Sequence, residues 1–260
     1  MTLVREVARL RSVAPEPTLA PLESLASKEP IPPASVALAP GALLRLLQLA
    51  SPALPIGAFA YSQGLETAVE LGFVSDEASA REFLSGVLLD GVARLELPLL
   101  ARLHAAFACG DTAGAERWSQ LLLASRETAE RRDEEQQLGR ALAKLLADQG
   151  LAEAQPWQRS ELVTHVALFA LGGVGFGVPA EALVPAFAFA WAEAQVGALS
   201  RLIPLGQLAA QRVLAALGAL VPVAEARAGS LADDELGATL PGLALASALH
   251  ETQYTRLFKS

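Results

Sequence analysis

Residues 179–220 have the sequence PAEALVPAFAFAWAEAQVGALSRLIPLGQLAAQRVLAALGAL, and this stretch decides the fold class. Alanine and leucine dominate it, and it lacks the alternation of apolar and polar residues that is typical of a half-buried strand. Pro179 suits the first position of a helix, and Pro204 interrupts the helical pattern. The stretch therefore predicts two long helices, one that runs to about Leu199 and one over 205–220.

The same helical signals extend in both directions from this stretch. Glycines, prolines and capping residues divide the remaining chain into segments of helical length, and no segment has a strand pattern. Upstream helices are predicted over about 43–49, 62–71, 76–93, 98–110, 111–149 and 161–171, and a last helix is predicted to begin at Pro241. We therefore predict an all-α protein with a single irregular helical bundle.

The first forty residues differ in composition from the rest of the chain. They contain seven prolines, at positions 15, 17, 21, 30, 32, 33 and 40, and little periodicity follows Leu10. Such composition is typical of a flexible arm, here with a short helix over Val4–Leu10. The sequence thus predicts a Pro-rich arm at 1–40 and a helical domain at 41–260.

The overall composition favours protein partners over nucleic acid. Charged residues make up 18% of the chain, below the roughly 25% that is usual, and the formal net charge is -8. No run of Lys and Arg is free of acidic neighbours, so nucleic-acid binding is not expected. The apolar surplus suits a large core with further apolar surface that partners or self-association cover.

The mean hydropathy of +0.36 raises the question of a membrane span. The best candidate, 162–178, lacks charged residues, but it contains His165, is short for a span and is followed by Pro179. We prefer a buried core helix there. The alternative is a peripheral membrane or interfacial helical binding protein. The N-terminus lacks the apolar region of a secretory signal, and we predict a cytoplasmic protein.

A search for reactive groups predicts no catalytic residue, cofactor or metal site. The sequence contains no phosphate-binding loop, no HExxH motif and a single cysteine. The three histidines, His104, His165 and His250, do not have metal-ligand spacing with it. A small all-α hydrolase or transferase stays open as an alternative, because only the missing nucleophile–base signature speaks against it.

Four segments carry polar residues that helix formation alone does not require. They are SPALPIGAFAYSQGLE at 51–66, RETAERRDEEQQLGR at 126–140, LSRLIPLGQLAAQR at 199–212 and SALHETQYTRLFKS at 247–260. The second segment predicts ion pairs four residues apart on a solvated helix face that could also dock a partner; the pairs are Glu127–Arg131, Arg126–Glu130 and Arg131–Glu135. The last segment either orders on a partner or packs back on its own domain.

Together these segments resemble the F-type family of urease accessory proteins. The matching pieces are LQLASPALPIG with YSQGLE, RETAERRDEE, LIPLGQLAAQ and HETQYTRLFKS. They occur in the family's order over 43–260, whereas residues 1–40 lie outside the resemblance. Four pieces in register make the resemblance specific.

The resemblance implies an all-α protein without enzymatic activity or a cofactor. It implies a homodimer that joins the D-type (H-type in some bacteria) accessory protein and the G-type GTPase. That complex delivers nickel to apo-urease, and the F-type protein is expected to recruit the GTPase and modulate its GTP hydrolysis.

The resemblance also implies candidate partner-binding residues, with the terminal segment from His250 to Ser260 docking on the D-type protein. The candidates are Gln63, Glu66, Arg126, Glu127, Arg131, Glu134, Glu135, Arg201, Gln207, His250, Glu251, Gln253, Tyr254, Arg256, Leu257, Phe258 and Lys259. Lys259 stands where the family often has arginine, and lysine lacks the bidentate fork of arginine.

Overall fold

Helices make up nearly all the regular structure in the computed structural model, which describes residues 37–237 and 240–260. The described residues from Leu38 onward belong to one compact unit that ends at Ser260. Ten α-helices and no strand occur within these residues, so the all-α prediction is confirmed. The predicted arm, up to residue 36, and its short helix at Val4–Leu10 lie outside the described residues.

Most of the ten helices follow one another through short connections, and longer ones lie at 50–64, 149–164 and 231–240. Their bounds are α1 Pro40–Leu49, α2 Leu65–Glu70, α3 Glu77–Gly86, α4 Glu96–Ala108, α5 Thr112–Ala124, α6 Ala129–Asp148, α7 His165–Gly175, α8 Ala180–Leu202, α9 Gln207–Ser230 and α10 Pro241–His250. A π-helical segment, Val87–Val92, continues α3, and short 3₁₀ turns occur at Ala58–Ala60, Ala152–Ala154, Pro156–Arg159 and Asp233–Glu235.

The core is built around α4. This helix packs against α5, α7 and α8, while α6 packs on α7 and α8 on α9. Contacts on so many sides explain why successive apolar residues of α4, including Leu97, Leu99, Leu100 and Leu103, are fully buried. Each such side chain contributes about 1.5–3 kcal/mol of transfer free energy.

Capping side chains set the starts of several helices. Asp76 caps α3 and forms a reciprocal capping box with Ser79. Thr164 caps α7, which begins at His165 and not at residue 161 as predicted. The predicted long helix over 111–149 is two helices, because Thr128 accepts a hydrogen bond from the Arg131 amide and starts α6 anew.

The close crossing of α6 and α7 depends on Gly139. A Cβ at this position would lie 2.7 Å from the backbone carbonyl carbon of Thr164, which caps α7. Backbone cannot yield as a flexible side chain can. The glycine therefore brings the start of α7 against α6, where the polar cluster described below is found.

We expect Gly139→Ala to lower the free energy of unfolding by about 1–3 kcal/mol, as overpacking does in other cores. Urea denaturation followed by circular dichroism measures this change. The control is Gly197→Ala in α8, where no atom lies within 4 Å of the added Cβ. That variant should be neutral or slightly more stable, because alanine favours a helix. Equal changes in the free energy of unfolding of the two variants contradict the close crossing at Gly139.

The segment 162–178 forms a buried core helix, as predicted. Eight successive residues of α7, from Val166 to Gly173, are buried. Two other helices, α8 and α9, are long and apolar enough to cross a membrane, with 50% and 28% of their apolar windows buried. Core helices of soluble proteins meet the same criterion, so this is weak support for a membrane role.

Candidate functional site

The chain's last residues pack back on the domain. The amide of Lys259 donates to the carbonyl oxygen of Ala60 over 2.8 Å. The carbonyl oxygen of Ser260 accepts from the amides of Ser62 and Gln63, at 2.8 and 3.0 Å, and from the Ser62 hydroxyl at 2.6 Å. Residues 60–63 thus hold the end of the tail through its backbone. Throughout, the tail means residues 251–260.

A left-handed turn prepares this contact. Gln63 has φ 57° and Gly64 has φ 83°, so the chain reverses just before α2. A side chain at Gly64 would meet the Leu243 side chain at 3.2 Å and the Ser247 amide at 3.4 Å in α10. Glycine therefore serves both the backbone conformation and the approach of α10.

Glu66, in the first turn of α2, is the main acceptor for the tail. Its two carboxylate oxygens accept the amides of Leu257 and Phe258 over 2.7 and 2.9 Å. The carboxylate is buried and also faces Nε2 of His250 at 3.2 Å. A residue that sequence analysis placed on a partner surface therefore also fixes the tail's path.

His250, the last residue of α10, is fully buried between two carboxylates. Its Nδ1 lies 2.7 Å from Glu130 Oε2, and the other Glu130 oxygen accepts from Arg256 over 2.6 Å. Glu251 accepts the amides of Ala129 and Glu130, at 3.0 and 3.3 Å, where the start of α6 favours a negative charge. The clasp, defined as Glu66, His250, Glu130 and Arg256, ties α2, α6, α10 and the tail together.

Glu134 extends this network one turn along α6. It accepts hydrogen bonds from the side-chain Nε2 of Gln63 at 2.7 Å, the Ser260 hydroxyl at 3.0 Å and Arg131 at 2.5 Å. The side-chain Oε1 of Gln63 in turn accepts from the Trp191 indole at 2.9 Å. These polar groups are thus paired with one another, which fixes their conformation.

Arg126 lies in the interior, between helices. Its two terminal nitrogens contact Glu96 at 2.6 Å and Glu135 at 2.5 Å, and all three side chains are buried. Among the described residues its Nε has no partner. Burial alone would lower the pKa of Arg126, but the charges of both carboxylates raise it well above its usual value.

The predicted surface ion pairs on 126–140 are therefore wrong. Because α6 starts at Ala129, Arg126 and Glu127 lie before it and cannot pair at helical spacing. Arg131 pairs with Glu134 and not with Glu135. The predicted solvated face is partly interior, because Glu134 and Glu135 are buried.

Glu135 and His165 connect the Arg126 cluster to α7. The second Glu135 oxygen accepts the His165 amide over 3.1 Å. Burial raises the pKa of Glu135, but the charge of Arg126, helped by His165, outweighs it and lowers that pKa. Burial lowers the pKa of His165, against the opposing charge of Glu135, so the ring is neutral at neutral pH.

Because both pKa values are lowered in the folded state, acid destabilises the fold. The pKa of His165 is lower in the folded than in the unfolded chain. Its contribution to the free energy of unfolding therefore begins to be lost as the pH falls below the unfolded pKa of about 6.5. The contribution of Glu135 is lost at lower pH, because below about 4.5 the unfolded chain binds a proton that the folded carboxylate, with its lowered pKa, does not yet bind.

We expect the free energy of unfolding to fall between about pH 7 and 5, and His165→Phe to flatten that fall. One proton contributes at most about 1.4 kcal/mol per pH unit. Urea titrations at successive pH values measure the slope. Phe169→Leu alters the same aromatic packing without removing a titratable group and should keep the slope. A slope unaffected by His165→Phe contradicts the assignment.

A cavity of about 100 Å³ lies beside Arg126. Leu54, Phe169 and Phe187 contribute to its apolar wall, and His165 and Gln195 contribute polar groups. Within the described ranges, no three His, Cys, Asp or Glu side chains are grouped so that they could hold a metal ion. The cavity is lined by apolar and neutral polar side chains together with charged ones, namely Glu96, Arg126, Glu134 and Glu135.

Other candidates lie at the surface around the tail. Arg201 at the end of α8 donates to the Phe59 carbonyl over 2.9 Å, and its guanidinium lies 4.4 Å from the centre of the Phe258 ring. Lys259 lies over the Tyr61 ring at 5.8 Å. Phe59 itself is 73% exposed. Sequence analysis did not single it out as a binding residue, although exposed phenylalanine beside arginine is common in interfaces.

The structure thus divides the candidate residues into two groups. The buried ones are Glu66, Arg126, Glu134, Glu135, His250 and Phe258. Those open to solvent are Glu127, Arg201, Gln207, Glu251, Tyr254, Arg256, Leu257 and Lys259, with Gln63, Arg131 and Gln253 partly covered. In the described part of the chain, neither Glu127 nor Gln207 hydrogen-bonds to the tail, so these two lie outside the network.

Comparison with known proteins agrees with this description. The sequence model of the UreF family matches residues 74–218. A urease accessory protein UreF from Chromohalobacter salexigens is 51% identical over 221 residues, which cover 85% of this chain and 96% of the relative. Those of Alkalilimnicola ehrlichii and Pseudomonas putida strain W619 are 46% and 49% identical, over 83% and 84% of this chain and 95% and 98% of the relatives.

An all-helical domain with relatives so named belongs to the class of urease accessory proteins. Such proteins are not enzymes, so the prediction of no catalytic activity is confirmed by this kinship. More particularly, the chain belongs to the UreF family.

Proposed function

We propose that this chain is a scaffold that joins the D- or H-type accessory protein and the G-type GTPase during nickel insertion into apo-urease. The observation that carries the proposal is the division of the tail into two faces. Its backbone and Phe258 are held by the domain, while Tyr254 and Leu257 are exposed. A segment ordered in this way presents apolar anchors at a low entropic cost.

We propose that the tail is the segment that binds the D-type accessory protein. Tyr254 is fully exposed and Leu257 is 53% exposed, and the cations Arg256 and Lys259 flank Leu257. Apolar side chains surrounded by polar groups are typical of the core and rim of an interface. The chemistry suits a partner groove that has an apolar floor and acidic edges.

Other exposed surfaces are proposed to bind the GTPase and a second copy of the chain. Glu127, Arg201 and Gln207 offer polar contacts for the GTPase, whose hydrolysis the contact modulates. Leu43, Leu44 and Leu47 of α1 and Leu208 of α9 are exposed leucines available to a homodimer. We propose that the chain meets these partners in the cytoplasm and binds neither nucleic acid nor a membrane.

Restoration of urease maturation tests the proposal. A strain whose urease operon lacks its F-type gene is supplied with this chain, and urease activity and the nickel content of purified urease are measured. We expect both to rise together. Activity and nickel that stay at the level of the empty vector, while the chain is soluble and helical, contradict the proposal.

The membrane alternative rests on α9, because only 28% of its apolar window is buried. Co-sedimentation of the purified chain with vesicles of phosphatidylethanolamine and phosphatidylglycerol distinguishes the two functions. We expect the chain to stay in the supernatant, since partner proteins account for the apolar surface. Clear pelleting without partners favours the alternative.

A further inference from the structure

We propose that the cavity beside Arg126 is a binding site for a small uncharged molecule that combines a carboxamide group with a short apolar part. The size of the cavity, an unpartnered amide in its wall and the charges around it point to this ligand. Such a site goes beyond the scaffold function and does not depend on it.

The cavity has room for a small organic molecule. Its volume is about 100 Å³, whereas a single water molecule needs only about 10–15 Å³. Residues 49–58, which connect α1 to α2, contribute one side, and α6, α7 and α8 contribute most of the rest. The rings of Phe169 and Phe187, whose centres lie 5.0 Å apart, and the side chain of Leu54 form an apolar wall. The apolar part of a ligand therefore finds a surface that water does not satisfy.

Gln195 of α8 contributes an amide without a partner. This residue is only 3% exposed, and within the described chain its carboxamide makes no hydrogen bond. Nε of Arg126 also lacks a partner but is sealed by protein, whereas the Gln195 amide retains accessible surface and lines the cavity. A buried amide without a partner costs free energy, so a ligand that satisfies it gains affinity. A second carboxamide is the best complement, because the two groups can each donate an N–H to the carbonyl of the other.

Two further side chains of the wall have hydrogen-bonding capacity to spare. The ring nitrogens of His165 make no hydrogen bond among the described residues, and a neutral imidazole offers one donor and one acceptor. Glu96 contacts Arg126 through Oε1, and its Oε2 has no hydrogen-bond partner in the described part of the chain. The wall thus offers both donors and acceptors, as the C=O and the NH₂ of a carboxamide require.

The charges of the wall favour an uncharged ligand. Arg126 lies between Glu96 and Glu135, and Glu134 pairs with Arg131. An anion would face three carboxylates, namely those of Glu96, Glu134 and Glu135. A cation would lose its hydration and lie beside the Arg126 guanidinium. An uncharged amide avoids both costs and can still donate to a carboxylate.

Isobutyramide, isobutyrate and isobutyramidinium test the site, because they share one size and branched shape and differ in charge. Each is titrated into the full chain at neutral pH, and NMR follows the indole N–H of Trp191, which lines the cavity, with Trp118 and Trp157 as references outside it. We expect isobutyramide to shift Trp191 alone, with a dissociation constant in the millimolar range, and the charged probes to bind at least about tenfold more weakly. A charged probe that binds as tightly, equal shifts of all three indoles, or no saturable shift overturns the proposal; the last result means that the cavity holds only water.

Two variants assign the binding to the Gln195 amide. Gln195→Leu keeps most of the side-chain volume but removes the reciprocal hydrogen bonds, so isobutyramide should bind at least about tenfold more weakly. Because that amide has no partner in the folded chain, the urea midpoint of this variant should not fall, which separates lost binding from misfolding. Gln211→Leu, at an exposed position of α9, should bind isobutyramide as the unchanged chain does. Undiminished binding by Gln195→Leu overturns the proposal.

Discussion

Replacement of Arg126 by methionine is expected to lower the free energy of unfolding by about 3–5 kcal/mol. The substitution leaves Glu96 and Glu135 buried and close together without the cation that both contact at 2.6 and 2.5 Å. Methionine fills most of the volume, so the loss reports the uncompensated carboxylates and not a cavity. Urea denaturation at neutral pH, followed by circular dichroism, measures it.

Two controls separate charge from geometry in that experiment. Arg126→Lys keeps the charge but cannot contact both carboxylates with a fork, so an intermediate loss is expected. Arg212→Met removes an exposed cation that pairs with Glu77 at 2.6 Å, and no resolvable change is expected because such pairs are screened by solvent. A loss for Arg126→Met no larger than that for Arg212→Met contradicts the account of the buried cluster.

The double variant Tyr254→Ala, Leu257→Asp is expected to weaken binding of the D-type partner by at least about 30-fold, equivalent to roughly 2 kcal/mol. Both side chains are exposed, so the folded domain does not depend on them. The new aspartate also adds a negative charge where we infer acidic groups on the partner. Affinity is measured by surface plasmon resonance, and helicity by circular dichroism.

Phe189→Asp is the matched control for this variant. Phe189 is 42% exposed on α8 and belongs neither to the tail nor to the proposed dimer surface. This substitution should leave the affinity for the D-type protein unchanged. Deletion of residues 251–260 is a less specific test, because it also removes Phe258 from the core and the backbone contacts of Ser260. Unaltered binding by the double variant contradicts the tail assignment.

The sequence was sufficient to predict the helices, because helix-forming residues, prolines and glycines are local signals. It placed α10 correctly at Pro241, since proline suits a first helical position. It failed where partners are distant in the chain. Helical spacing offered Arg126 only Glu130. Its actual partners, Glu96 and Glu135, are brought together because α4 and α6 both pack on α7.

The contacts of the tail could not be predicted from the sequence either. Its composition was compatible both with ordering on a partner and with packing on the domain, and the structure shows the packing. The contacts that hold it join residues up to 198 positions apart, such as Ser62 and Ser260. No periodicity encodes such contacts. The role of His250 as a link between two carboxylates was likewise hidden, because its neighbours in sequence are not its partners in space.

The proposed scaffold holds two different accessory proteins in one assembly. Native mass spectrometry of the complex purified after co-expression with the D-type and G-type proteins tests it most directly. We predict a complex that contains all three, with the chain present in two copies. A chain that purifies alone, or with neither of the other two proteins in stable association, contradicts the claim.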